Sequence, residues 1–150
     1  MVTDIVKFNF FLFFKLPSAW WCGVRLKSLS KVTAVVGVTH KWFNQNPFNS
    51  IFWAVQGMAA ELSTGAMVID QINESGAAVS MLVANNKATF SKKASGKIIF
   101  TSDDGDKIAV ALAKTIETGE GQTFWMCSKG VNEDGVVVST FDFEWTIKKR

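Results

Sequence analysis

A single histidine and two cysteines in 150 residues leave little material for several common chemistries. Cys22 and Cys127 lie far apart with no CxxC pair, and with only His40 to join them they make no common zinc site. A chain of this length buries roughly two-thirds of its unfolded surface, so it needs neither a metal nor a disulfide to be stable. Both thiols are expected free, which suggests a reducing compartment, the cytoplasm. A Ser-His-acid or Cys-His machine would have to use His40, which falls on the apolar face of an expected strand and reads as a packed core residue. Charge of either sign is also modest, with a formal net value of +3. Cations cluster only at Lys92-Lys93 and at residues 148–150, and no basic stripe interleaved with aromatics suggests a nucleic-acid partner. No internal repeat and no linker interrupts the chain, so one domain is expected over residues 1–150.

Hydrophobic runs long enough to cross a membrane are lacking too. FNFFLFF, residues 8–14, sits between Lys7 and Lys15 and is far too short. Asp4 before it and PSAWW after it make a poor secretory signal. The longer run, residues 50–69, reads SIFWAVQGMAAELSTGAMVI, but Gln56, Glu61, Ser63 and Thr64 fall across its middle, where a bilayer penalises a carboxylate strongly. It therefore reads as a core helix, and no membrane partner is expected. A surface helix would show a polar face at the 3.6-residue period; one apolar all round should be buried. Glu61 is its only charge. An isolated ionised carboxylate removed from water costs several kcal/mol or more unless paired, hydrogen-bonded or protonated. Either Glu61 points into water at a gap in the packing, or it has a use.

The order of elements predicts an α+β fold. Residues 32–42 alternate Val36, Val38, His40 and Trp42 against Gly37, Thr39 and Lys41, as a strand does. Pro47 stops that strand, and Asn49 or Ser50 is placed to cap the long helix. Strands are expected at residues 77–90 and 97–102. A second helix follows, with Asp103, Asp104 and Asp106 at its positive end, Ile108, Ala111, Leu112, Thr115 and Ile116 as its buried stripe, and Gly119 as its stop. Two strands, residues 123–131 and 136–147, close the chain. The last sets Phe141, Phe143, Trp145 and Ile147 against Thr140, Asp142, Glu144 and Thr146. An antiparallel sheet wrapped around one apolar helix explains why that helix has no wet side.

The segment NPFNSIFWAVQGMAAELSTG, residues 46–65, resembles the hotdog-fold acyl-CoA thioesterases of the phenylacetate-pathway type. It is closer still to a branch of that superfamily that tends to read NPF-SIYFAA-AMAAELTTG here. TFSKKASGKI, residues 89–98, is similar to the superfamily's pattern of an aromatic, a basic and a small residue before Gly at a strand end, and LPSAWWCGVRLKSL to that branch's N-terminal helix. The resemblance implies a hotdog fold, with an N-terminal helical extension over about residues 1–30. The thioesterase pattern places an Asn, six residues later a His followed by two Gly, and nine residues after the His an acid on the central helix. Asn46 and Glu61 match, while Phe52 stands at the His position and Trp53 and Ala54 replace the glycines. In the family the backbone amides of that stretch polarise the thioester carbonyl. The resemblance thus implies thioester hydrolysis without metal or cofactor, by a homodimer or a dimer of dimers whose sites combine both chains.

The chemistry fits these positions. Thioester hydrolysis develops negative charge on the carbonyl oxygen, and unpaired amides at a helix N-terminus are aimed for it. Ser50, Ile51, Phe52 and Trp53 are expected to supply them. Glu61 can then activate water or attack the carbonyl, its pKa raised by burial. It lies about 16 Å along the axis from Ser50, too far to share a substrate with its own helix end, so a partner subunit must contribute. Ala54, Gly57 and Gly65 would let a substrate or a second backbone come close, with Met58 beside them, and Lys92 and Lys93 or the 148–150 tail would hold the phosphates of CoA. Three function classes follow: a thioesterase for an acyl-CoA or acyl-carrier thioester, a hotdog protein that binds an acyl or other apolar ligand, and a purely structural role.

Overall fold

The computed structural model describes residues 2–150, with side chains from residue 4 onward. Two helices, α1 (Val2–Lys15) and α2 (Pro17–Trp21), precede strands β1 (Arg25–Leu29) and β2 (Ala34–Thr39). A short 3₁₀ turn (Trp42–Asn44) leads to the long helix α3 (Trp53–Ser75). Then come β3 (Val79–Phe90), β4 (Lys97–Ser102), α4 (Gly105–Thr118), β5 (Gln122–Val131) and β6 (Val137–Lys149). All six strands join one antiparallel sheet in the order β1-β2-β4-β5-β6-β3.

The sheet wraps around α3. Ala34, Val36 and Val38 of β2, Ile98 and Phe100 of β4, Met126 of β5 and Phe141, Phe143, Trp145 and Ile147 of β6 are all buried. They meet Val55, Ala59, Leu62, Ala66 and Met67 of α3. The alternation expected in the last strand therefore faces the helix as read. Ala and Gly at close-approach positions let the helix sink into the sheet, and Gly76 ends it in the left-handed conformation at φ 69°. The helix α4 packs through Ile108, Ala111, Leu112 and Thr115, the expected stripe, and Gly119 stops it at φ 75°. Asp104, expected to act only on the helix dipole, also accepts the Cys127 amide at 2.7 Å and so ties α4 to β5.

Three expectations need correction. The early strand ends at Thr39, and Trp42 enters the 3₁₀ turn with 82% of its surface exposed, so it does not continue the apolar face. Helical structure in the N-terminal extension stops at Trp21, and residues 25–29 form an edge strand instead. Finally, α3 begins at Trp53 with no side-chain cap: Asn49 turns left-handed at φ 59°, and Ser50 bonds Asn46 instead of the helix. Local capping chemistry lost there to a tighter loop closed by side chains.

The two sheet edges are treated differently. At β1 the Asn9 side chain donates to the Leu26 carbonyl at 2.9 Å and accepts the Leu26 amide at 3.0 Å, so α1 covers that edge as a strand would. At the other edge β3 pairs with β6 from Val79 opposite Lys149 to Phe90 opposite Ser139, and among the described residues nothing pairs its far side. A long strand with one charge, Lys87, is a template for pairing with another chain.

Gln71 of α3 donates to the carbonyls of Lys31 and Gly105 at 2.8 and 3.0 Å, drawing the β1–β2 turn against the start of α4. A Cβ at Gly105 would collide with the Lys31 carbonyl and lie 2.6 Å from the Val32 Cα, both backbone. Gly105→Ala should therefore destabilise by about 3 kcal/mol, lowering the melting temperature by about 10 °C in a thermal denaturation scan. An unchanged melting temperature would show that the turn can move aside.

Candidate active site

The loop before α3 is built by Asn46. Its amide N–H bonds the Ser50 carbonyl at 2.8 Å, and its side-chain oxygen accepts the Phe48 amide at 2.9 Å and the Ser50 amide at 3.3 Å. Its side-chain nitrogen lies 2.9 Å from the Ser50 hydroxyl. Ile51 bridges back to Gln45, and its amide bonds the Ala94 carbonyl at 2.9 Å, which fastens the loop to the segment after β3. These bonds swing Phe48, Phe52 and Trp53 outward, to 71%, 44% and 57% exposure.

They also decide which amides remain for a ligand. The Ser50 amide is held by Asn46, that of Ile51 by Ala94, and that of Phe52 by the Asn44 carbonyl at 2.9 Å. Val55 and Gln56 both bond the Phe52 carbonyl, at 3.0 and 3.2 Å. Of the four amides expected to be free, only that of Trp53 is, and Ala54 joins it; among the described residues no acceptor reaches either. Starting the helix at Trp53 also shortens the run to Glu61 to about 12 Å.

A cleft of about 550 Å³ opens at this helix end. The structure brings Asn46, Phe48, Ser50, Ile51, Phe52, Trp53, Lys92 and Lys93 to its walls, together with Gln56 and Phe90, which sequence reasoning had not assigned to a site. Gln56 is nearly buried; its amide nitrogen donates to the Ile51 carbonyl at 3.2 Å while its side-chain oxygen has no partner. Phe90 ends β3 and sets its ring edge-on against Phe141 at 5.6 Å. A polar residue one turn past the loop and an aromatic at a strand end were the available signals. Lys93 lies with its ammonium 3.4 Å from the Phe48 carbonyl, at the rim. The basic tail is elsewhere. Lys149 pairs with Val79 at the opposite end of β6 from Ser139, about 33 Å away at the usual strand rise, so within one chain only Lys92 and Lys93 serve this cleft.

Glu61, Gly57 and Met58 do not line the cleft; they continue along α3 on its half-buried flank. Gly57 faces the Phe141 ring, whose Cε1 would lie 3.5 Å from an added Cβ. One turn past Glu61, Gly65 leaves room for both the Trp145 ring, 3.1 Å from where a Cβ would stand, and the Glu61 carboxyl oxygen at 3.4 Å. The Trp145 indole donates to the Thr64 hydroxyl at 2.9 Å, which in turn donates to the Glu61 backbone carbonyl at 2.8 Å. Indole and carboxylate are thus held side by side over a glycine. Burial pushes the Glu61 carboxyl up from 4.5 to about 7, and among the described residues no cation pairs with it. Such a group is half protonated at neutral pH and can take or give a proton. His40 follows β2 half-buried, with its Nε2 unpartnered, and belongs to neither cleft nor carboxylate.

No family model and no curated protein sequence matches this chain. Solved structures do. A Pseudomonas aeruginosa protein described as of unknown function and a probable thioesterase superposes with a TM-score of 0.81 at 17% identity, over 97% of this chain and 96% of its own. A Chlorobaculum tepidum protein of unknown function gives 0.84 at 16% identity, covering 98% and 95%. A Haemophilus influenzae thioesterase gives 0.75 at 11% identity, covering 97% and 90%. Identities this low speak for architecture alone. With its six-stranded antiparallel sheet wrapped around one long helix, this chain has the hotdog fold.

Proposed function

We propose that this protein is a thioesterase that hydrolyses an acyl-CoA or acyl-carrier thioester, with Glu61 as general base or nucleophile. The observation that carries the reading is Glu61 itself: a carboxyl raised to about 7, beside Trp145 and Gly65, and the one charge of α3 before Asp70. The Trp53 and Ala54 amides at the positive end of α3 are free to receive the oxyanion. The acyl chain lies along the α3 flank past Gly57 and Met58, and the phosphates of CoA rest on Lys92 and Lys93.

Amides and carboxylate of one helix stand about 12 Å apart, so each site joins the amides of one subunit to the Glu61 of another. The unpaired edge of β3 supports a homodimer, or a dimer of dimers, built by continuing the sheet. Light scattering at micromolar concentration should give a dimer or tetramer; a folded monomer would remove the shared site. Both cysteines are free thiols, which supports the cytoplasm as the compartment. Among the described residues no helix is long and apolar enough to cross a membrane.

Glu61→Gln keeps the volume and removes the ability to accept a proton or attack. Activity against a panel of acyl-CoA thioesters should fall by roughly two orders of magnitude or more. Wild-type activity should rise with pH through about 7 as the carboxyl ionises. The same shift has a stability consequence. The folded state keeps the Glu61 proton to about pH 7, whereas the unfolded chain releases it near 4.5, so wild type loses stability between those values. The variant should melt like wild type below pH 4.5 and above it at pH 8. Phe52 and Trp53 at the cleft mouth favour a second reading, an acyl-binding protein without hydrolysis. That reading holds if neither protein hydrolyses any thioester and both bind acyl ligands.

For the carrier, a Lys92→Ala, Lys93→Ala double change should weaken CoA binding in calorimetry by about tenfold, and added salt should weaken it in wild type. Affinity indifferent to both points to an acyl carrier other than CoA.

A further inference from the structure

The sheet has a second charged feature on the face that α3 does not cover. Ala34, Val36 and Val38 point at the helix, so Gly37 and Thr39 between and after them face outward. Arg25 stands opposite Gly37 in the ladder and Lys97 opposite Thr39, which puts both on that outer face. There Arg25, Lys27, Gly37, Thr39, Lys41 and Lys97 surround a cavity of about 180 Å³ that no carboxylate lines. The composition of the chain makes this possible: residues 5–60 contain no Asp or Glu, yet include Lys7, Lys15, Arg25, Lys27, Lys31 and Lys41. Glu133, in the turn after the neighbouring β5, accepts the Lys97 backbone amide at 3.1 Å, and among the described residues its carboxylate makes no ion pair with the cavity lysines.

The cavity is shaped as well as charged. The Arg25 guanidinium sits 3.4 Å from the centroid of the Trp20 ring. One of its nitrogens, Nη1, donates to the Trp20 and Val24 carbonyls at 2.7 and 2.8 Å. That fixes the fork through one nitrogen and, among the described residues, leaves its other N–H groups without a partner. Gly37 forms the floor; a Cβ there would stand 2.9 Å from the Lys27 Cε and 3.4 Å from the Ile99 Cδ1, so a side chain at this position would push the Lys27 stem aside. Like charges gathered in a small cavity repel, and a compact, multiply charged anion converts that repulsion into binding. A planar Arg fork with several Lys point charges suits tetrahedral phosphate oxygens.

We propose that this cavity is a binding site for a phosphate group, carried either by a soluble phosphate ester or by a lipid headgroup. It lies on the opposite face of the sheet from Glu61 and does not depend on the thioesterase reading. The lipid source has a physical basis in Phe10, Phe14 and Trp21, which are 65%, 62% and 63% exposed on the helices beside β1.

Pyrophosphate, titrated into the full chain at low ionic strength by calorimetry, is the probe. Wild type should bind it, and a Lys27→Gln, Lys41→Gln, Lys97→Gln variant should bind at least about tenfold more weakly. The Lys92→Ala, Lys93→Ala variant removes the phosphate contacts proposed at the α3 cleft and should still bind pyrophosphate, so binding that this variant keeps and the cavity variant loses belongs to the cavity. None of the three substituted lysines donates a side-chain hydrogen bond that holds the fold, and an unchanged melting temperature would confirm that the variant is intact. Arg25→Lys, which keeps the charge and loses the fork, gives a second variant expected to weaken binding. Sedimentation with vesicles of phosphatidylcholine, with and without phosphatidic acid, separates the sources. Pyrophosphate-competed binding to the acidic vesicles assigns the headgroup; pyrophosphate binding without vesicle binding assigns a soluble ester. Wild type that binds neither probe, or loss of binding in the Lys92, Lys93 variant with retention in the cavity variant, would overturn the proposal.

Discussion

Everything in this fold depends on burying a helix that has no wet side. The run from Val55 to Ile72 puts Ala59, Ala60, Leu62, Ala66, Met67 and Val68 against the concave face of the sheet, each with 3% or less of its surface exposed. At roughly 25 cal/mol per Å² of apolar area removed from water, this contact is the largest stabilising term available to the chain. The alternating aromatics of β6 exist to meet it. Phe141 and Phe143 stack at 6.0 Å with their planes 7° apart, and Trp145 covers Gly65.

That burial is incomplete on one flank, and that flank carries the group proposed to be catalytic. Ala54, Gly57, Met58 and Glu61 remain half-buried, and along this flank Gly57 and Gly65 face Phe141 and Trp145 of β6. The same side of the molecule carries the unpaired sheet edge. An apolar flank and an open edge suit the proposed second chain, whose arrival would dry Glu61 further and push its pKa in the direction burial has already moved it. The contrast with the other edge is instructive. There Asn9 supplies one donor and one acceptor to Leu26, and α1 ends the sheet.

Polar side chains inside this structure hold turns more than they face ligands. Asn44 donates to the Cys22 and Thr39 carbonyls and accepts the Lys41 amide, Asn46 closes the loop before α3, and Gln71 joins two turns to the helix. Ser63 and Ser128 bond each other between α3 and β5 at 2.7 Å. Glu61 stands apart from this pattern, because its carboxylate supports no turn and closes no network.

The amino-acid sequence by itself determined the secondary structure from α3 onward. Periodicity is a local property, so the helix around Glu61, the strands from residue 77 onward and the stripe of α4 were legible, as was Glu61 as the one charge in an apolar cylinder. The glycine stop at Gly119 was legible because few other residues adopt a positive φ readily. Tertiary structure decided the rest. Residues 25–29 carry too little alternation to reveal a strand, and became one because Asn9 and β2 offered partners on both sides. Ser50 has the chemistry of a helix cap, yet Asn46 claimed its hydroxyl and its amide, so the helix began later and left a different pair of amides free. The gathering of Phe90 and Lys92 beside Phe52, and of Lys97 beside Arg25, joins residues dozens of positions apart. No local pattern encodes such distances; the register of antiparallel strands sets them.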